Sequence, residues 1–147
     1  MKKLFTIIAA GLFSLLFSTA LTAGSYTWIE QSWENNAWQN DGKIIYDYDG
    51  SENLTQMEFY EYESEDWVPH GRMTFTYDAN GNNTSYLSEN YENGAWIPQM
   101  KSEMKYDSHG NETESTNWMW EDGAWTESFK EVSTYQDGKI VEIGRAS

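Results

Sequence analysis

An unbroken spacing of 29 residues governs this chain. Tyr48, Tyr77, Tyr106 and Tyr135 form one column of the repeat. Trp38, Trp67, Trp96 and Trp125 form a second, and Lys43, Arg72, Lys101 and Lys130 a third. No insertion breaks the register between the columns. A period of this length belongs to serially paired supersecondary units, none of which can bury an apolar face alone. Each residue therefore has to be read beside its repeat counterparts before it is treated as special.

Two turn signals punctuate each unit. Asp78-Ala79-Asn80-Gly81-Asn82, repeated as Asp107-Ser108-His109-Gly110-Asn111, suits a type I turn closed by a left-handed glycine. Glu92-Asn93-Gly94-Ala95 and Glu121-Asp122-Gly123-Ala124 place Asn-Gly or Asp-Gly in a two-residue turn, where both central positions need positive φ. The first unit departs from this at Asp49-Gly50-Ser51-Glu52 and at Ser64-Glu65, where the expected glycines are missing.

Between the turns the apolar residues alternate with period two, as strands do. The alternation expects Trp96, Pro98, Met100, Met104 and Tyr106 on one face, with Gln99, Lys101, Glu103 and Lys105 on the other. Trp67, Pro69, Met73, Phe75 and Tyr77 follow the same rule. A two-residue turn at Asn93-Gly94 pairs Tyr91 with Trp96 and, carried along the strand, Leu87 with Met100. The bulged turn pairs Tyr77 with Asn83 and Phe75 with Ser85. The same register expects aromatic pairs at every two-residue turn: Trp33 with Trp38, Tyr62 with Trp67, Tyr91 with Trp96, and Trp120 with Trp125. It puts Lys43 opposite Trp28, Arg72 opposite Met57, Lys101 opposite Tyr86 and Lys130 opposite Ser115, on the face away from the tryptophans.

The expected fold is all-β: an antiparallel up-and-down meander of about eight strands from four 29-residue hairpin repeats, with Lys139–Ile143 as a short ninth. A lone sheet leaves one side wet, so the apolar face is expected to be covered by twisting or curling, by closure into a small barrel, or by dimerisation.

Residues 1–23 carry Lys2 and Lys3, an apolar run from Leu4 to Phe17, and small residues at Ser18, Ala20 and Ala23. This reads as a secretory signal peptide cleaved after Ala20 or Ala23, leaving 24–147 as a single domain. The run is shorter than the ~20 residues a spanning helix needs, so stable membrane insertion is not expected. Cysteine is absent, which excludes disulfides and a lipoprotein tether. A secreted, periplasmic or cell-surface address follows.

Without Lys2 and Lys3, 7 basic residues face 24 acidic ones, a formal charge of 7 − 24 = −17. Such a surface repels phosphate backbones and excludes nucleic-acid partners.

The catalytic inventory is thin. His70 and His109 are the two histidines and fall in different repeat columns. Nucleophile elbows, His-x-x-x-His pairs and phosphate loops are absent. Glu61, Glu63, Glu65 and Asp66 cluster, and paired carboxylates can hydrolyse glycosides, but these flank a turn where charge is ordinary. Asp78-x-Asn80-Gly81-Asn82 suggests calcium, yet lacks the spaced oxygens and closing glutamate of such a loop, and a bulged turn requires the same residues. Asn-x-Thr triplets at Asn53, Asn82 and Asn111 follow from the repeat itself. No metal, cofactor or catalytic residue is expected.

YDANGNNT, ENGAW and the lysine five residues after that tryptophan resemble the tandem repeats of secreted Bacteroidota proteins. They are more distantly similar to the tyrosine-aspartate repeats of bacterial shell and toxin-delivery proteins. The resemblance covers nearly all of the chain after residue 23 and implies an exported β-repeat protein.

The functional expectation is a non-enzymatic surface adhesion or polymer-binding protein. Its candidate binding residues are Trp38, Trp67, Trp96 and Trp125 with Trp33, Tyr62, Tyr91 and Trp120. Strands ~4.8 Å apart repeat these aromatics every ~10 Å, close to a disaccharide step, and sugars stack on aromatic faces. A neutral polysaccharide or a cell-surface molecule is the expected partner. The competing reading makes the tryptophans a core, in a structural repeat that self-associates through its apolar face or sheet edges. A glycoside-active enzyme is the remaining alternative.

Overall fold

The structure, a computed structural model, describes residues 6–8 and 24–146. Ten strands pair in chain order in one antiparallel sheet: β1 (Thr6–Ile8), β2 (Gly24–Glu34), β3 (Ala37–Tyr48), β4 (Leu54–Glu63), β5 (Asp66–Tyr77), β6 (Asn83–Glu92), β7 (Ala95–Tyr106), β8 (Glu112–Glu121), β9 (Ala124–Gln136) and β10 (Lys139–Ala146). The expected meander is present, with nine strands from Gly24 onward. The sheet is open, so the barrel alternative fails: β10 pairs with β9, and the opposite end is β1 against β2, Thr6 opposite Gln31. Both expected cleavage positions, after Ala20 and after Ala23, lie outside the described residues. No helix among the described residues is long and apolar enough to cross a membrane.

Both turn families form as their chemistry requires. The two-residue turns have positive φ at both positions, including Asn93 (52°) with Gly94 (84°) and Asp122 (50°) with Gly123 (80°). Ser64 (50°) and Glu65 (68°) adopt the same turn without glycine. In the bulged loops Gly81 and Gly110 sit at φ 85° and 82°, and Glu52 takes the equivalent position at 64°.

The register between the turns differs from simple alternation in one systematic way. β6 and β7 pair Glu89 with Pro98 but Ser88 with Met100, so Gln99 is an extra residue. Asp41, His70 and Ser128 are extra in the same way, each 29 residues from the next in its column. A second bulge column follows the bulged loops at Thr55, Thr84 and Thr113. Because strand side chains alternate with period two, each extra residue moves all that follow to the other face.

Several expected pairings are therefore corrected. Leu87 stands opposite Lys101 rather than Met100, and Phe75 opposite Tyr86 rather than Ser85. Lys43 pairs with Ile29, Arg72 with Glu58, Lys101 with Leu87 and Lys130 with Thr116. Trp96 and Pro98 share a face with Lys101, Glu103 and Lys105, while Met100, Met104 and Tyr106 point to the other. Trp67 and Pro69 part from Met73, Phe75 and Tyr77 in the same manner.

Splitting the apolar residues between two faces leaves neither with a covered core. Among the described residues no hydrophobic side chain is buried, and the buried polar ones are Glu89, Ser102 and Thr116 near the middle of the sheet. The fold is held by its ladder and by cross-strand contacts.

Candidate functional site

The hairpin turns build the aromatic pairs. In a two-residue hairpin the turn-flanking pair, such as Glu92 with Ala95, exchanges backbone hydrogen bonds, and the next pair is the closer, non-hydrogen-bonded kind. That next position holds an aromatic pair in all four repeats. The rings meet edge to face, with centroids 5.3 Å apart for Trp33–Trp38, 4.9 Å for Tyr62–Trp67, 5.0 Å for Tyr91–Trp96 and 5.1 Å for Trp120–Trp125. All eight expected site residues are thus brought together as four pairs on one face, along the end of the sheet that carries the two-residue turns.

The bulges place the cation column on this same face. Lys43 Nζ lies 4.0 Å from the Tyr60 ring centroid and 5.1 Å from that of Trp67. The Arg72 guanidinium lies 4.5 Å from Trp96, and Lys101 Nζ is 4.3 Å from Trp118 and 5.4 Å from Trp125. Each cation therefore reaches the tryptophan 24 residues ahead, in the next repeat. Cation–aromatic contacts of this kind contribute about 0.5–2 kcal/mol, depending on desolvation.

Repeat one ends the series. Trp33 is 55% exposed and Trp38 42%, whereas Trp67, Trp96 and Trp125 are half-buried. At the other end, Lys130 pairs with Glu114 at 3.1 Å.

Arg72 also hydrogen-bonds to Glu89, whose side chain is 9% exposed, and this bond raises the guanidinium pKa further. In the preceding repeat Tyr60 takes the place of Glu89. Its hydroxyl donates to Glu58, which together with partial burial pushes its pKa to about 12.

The opposite end of the sheet carries three matching loops. Asp78 Oδ1 accepts from the Asn80 and Asn82 amides at 2.8 and 2.9 Å, and Oδ2 accepts from Asn82 Nδ2 at 2.9 Å. Asp49 and Asp107 repeat the arrangement. The asparagine side-chain bond is the main cause that lowers all three carboxyl pKa values. With both oxygens so engaged, the loop is closed by its own donors. Tyr77 and Tyr106 tie the Asp78 and Asp107 loops to the previous repeat by donating to the Leu54 and Asn83 carbonyls at 2.9 and 2.8 Å.

The remaining candidate groups do not assemble into one place. Glu61, Glu63, Glu65 and Asp66 are all exposed around the β4–β5 turn. His70 Nδ1 lies 3.7 Å from Glu61, and His109 Nδ1 lies 4.0 Å from Asp107.

Sequence reasoning missed the bulges and, through them, the coupling of cations to tryptophans. A signal was present: Pro69 and Pro98 each directly precede an extra residue, and proline inside a central strand is confined to bulges.

Among solved structures, the fold is similar to a Bacteroides fragilis protein of unknown function, with a TM-score of 0.63 at 11% identity over 89% of this chain and 93% of that one. A DUF3836 family protein from Parabacteroides distasonis gives a TM-score of 0.42 at 18% identity, over 53% of this chain and 74% of that one. Another from Bacteroides vulgatus gives 0.40 at 10% identity, over 71% and 98%. The first likeness is one of fold alone. No family model matches the sequence, and no curated protein matches it.

Proposed function

We propose that this chain is an exported, non-enzymatic β-repeat protein that binds a neutral polysaccharide or another cell-surface polymer. The aromatic pairs of its turn edge form the contact surface. The observation that carries this reading is their placement: four edge-to-face pairs on one face and at one end of the sheet, recurring every second strand, about 10 Å apart. Trp33 and Trp38, the most exposed pair, are the strongest contact. Export follows from the character of residues 1–23 and from the resemblance to secreted Bacteroidota repeats.

A second reading is a structural repeat that associates with its own copies. The edge strand β10 favours it, because Ile140, Val141 and Ile143 are all exposed beside unpaired backbone groups.

Electrophoresis of the purified protein through gels containing neutral polysaccharides tests the first reading. Retardation that weakens in a Trp33→Ala/Trp38→Ala variant, measured well below its melting range, is expected. Retardation absent across a panel of neutral polymers, with sedimentation that grows with protein concentration, would favour the structural repeat.

A further inference from the structure

On the face away from the aromatic pairs, a cavity of about 260 Å³ opens across β2, β3, β4 and β5. The register sets two rows of side chains around it. One row is Glu30, Gly42 and Glu61, directly opposite one another on three adjacent strands. The neighbouring row is Trp28, Ile44 and Phe59. An apolar shelf therefore lies against a carboxylate–glycine–carboxylate step, with His70 at its end, 3.7 Å from Glu61.

The glycine is the informative residue. A Cβ added to Gly42 would meet nothing nearer than 3.7 Å, at Glu30 Oε2 and the Tyr60 carbonyl, and the residue has no positive φ. Neither space nor backbone demands glycine there. The same repeat column reads Gly42, Gly71, Met100 and Phe129, so the fold accepts a large side chain at this position. Glycine within a strand costs stability and often marks a place where another group approaches closely. Here it leaves open the space that Met100 and Phe129 fill in later repeats.

The charges define what would enter. Glu89, Glu103, Glu114 and Glu131 have lysine or arginine partners, whereas among the described residues Glu30 has no cation within 4.0 Å and Glu61 has His70. Lys43, which follows Gly42 in the chain, projects to the other face and lies over Tyr60 and Trp67. Among the described residues no group of three or more His, Asp or Glu side chains could hold a metal ion. The two glutamates suit an organic cation seated above Gly42, with its apolar stem on Trp28, Ile44 and Phe59.

We propose that this cavity receives an arginine or lysine side chain of a partner protein. A guanidinium fits best, because its planar fork pairs with carboxylates while its stem lies on the apolar row. A shallow cavity on an open sheet face is accessible to a protruding side chain, and the chain's formal charge of −15 draws basic partners toward it. The proposal is independent of polymer binding, which uses the other face.

The test is a titration of isotopically labelled full-length protein, following the Trp28 indole and Gly42 amide signals by NMR. The probes are n-butylguanidinium, guanidinium as a charge without a stem, n-butylurea as a stem without a charge, and the peptide acetyl-Gly-Arg-Gly-amide. Saturable shifts with n-butylguanidinium and the peptide are expected, at least tenfold tighter than with either control. Gly42→Met should abolish them while keeping the parent Tm, since Met100 already occupies that place in the third repeat. Glu30→Gln/Glu61→Gln should weaken binding at least tenfold, and it serves as the deciding variant should Gly42→Met not fold. Binding of n-butylurea as tight as that of n-butylguanidinium would overturn the proposal, as would unchanged binding in either variant. Binding of n-butylguanidinium without the peptide would also overturn it, by assigning the cavity to a small amine.

Discussion

The Arg72 guanidinium lies 4.5 Å from the centroid of the Trp96 ring, 24 residues ahead, while hydrogen-bonding to Glu89 on the strand between them. One side chain thus links three strands and two repeats. Lys43 and Lys101 make the corresponding reach to Trp67 and Trp125. In a sheet without a covered core, these ties between hairpins carry much of the cooperativity that burial supplies elsewhere.

Removing Arg72 should therefore be costly. Arg72→Ala loses the contact with Trp96 and leaves the Glu89 carboxylate without its partner where it is least hydrated, a loss of about 3 kcal/mol. Lys101→Ala removes contacts with Trp118 and Trp125 but strands no buried charge, since Glu103 is exposed; about 1 kcal/mol is expected. Urea denaturation of both variants checks the order. A double-mutant cycle of Arg72 and Trp96 should give about 1 kcal/mol of coupling.

Glu52 occupies a backbone conformation made for glycine. Its φ of 64° corresponds to 85° at Gly81 and 82° at Gly110. A left-handed residue with a Cβ costs about 1–2 kcal/mol, so Glu52→Gly should stabilise the protein by up to about 1 kcal/mol. Gly81→Val should destabilise it by more than 1 kcal/mol, because a β-branched side chain fits this region worst. Thermal melts of the two variants should move in opposite directions.

How much of this was legible in the sequence follows from what fixes each feature. Turns are local: Asn93-Gly94 and Asp78 through Asn82 fix their backbone with their own atoms, so the meander and its aromatic pairs could be read directly. Even Ser64-Glu65 and Glu52 form their turns without glycine, because the neighbouring pairs hold them. The bulges are not local. Gln99 carries nothing that marks it as an extra residue except the proline before it, and Ser128 lacks even that. Since one extra residue inverts every later side chain, that omission put the cation column on the wrong face. It also merged two half-exposed faces into one imagined core.

Acid should weaken the loops in a defined window. The Asp49, Asp78 and Asp107 carboxyls have lowered pKa values in the fold, chiefly through the asparagine side-chain bonds. A lowered folded-state pKa contributes stability that is fully present above the unfolded value of about 3.9. The contribution is lost as pH falls from there through the folded value. Asp78→Asn should thus flatten the pH dependence of Tm below about pH 4, without altering its form near neutrality. Since the loop's own amides occupy the carboxylate oxygens, millimolar chelator should leave the Tm of the parent unchanged.

The two ends of the tryptophan column should separate stability from binding. Trp96 is half-buried, meets Tyr91 edge to face and carries Arg72 on its ring. Trp96→Ala should cost about 2–3 kcal/mol, less than the loss of an aromatic from a closed interior because part of the ring is already wet. Trp38 keeps its edge-to-face partner Trp33, but it is 42% exposed and no described cation lies on its ring. Trp38→Ala should therefore cost only about 1 kcal/mol. Polymer binding should follow the reverse order, falling more in the exposed Trp33→Ala/Trp38→Ala variant than in Trp96→Ala measured well below its melting range. Equal destabilisation by Trp38→Ala and Trp96→Ala would mean that the cation on the ring adds nothing, and the tie between repeats would have to lie in the backbone ladder alone.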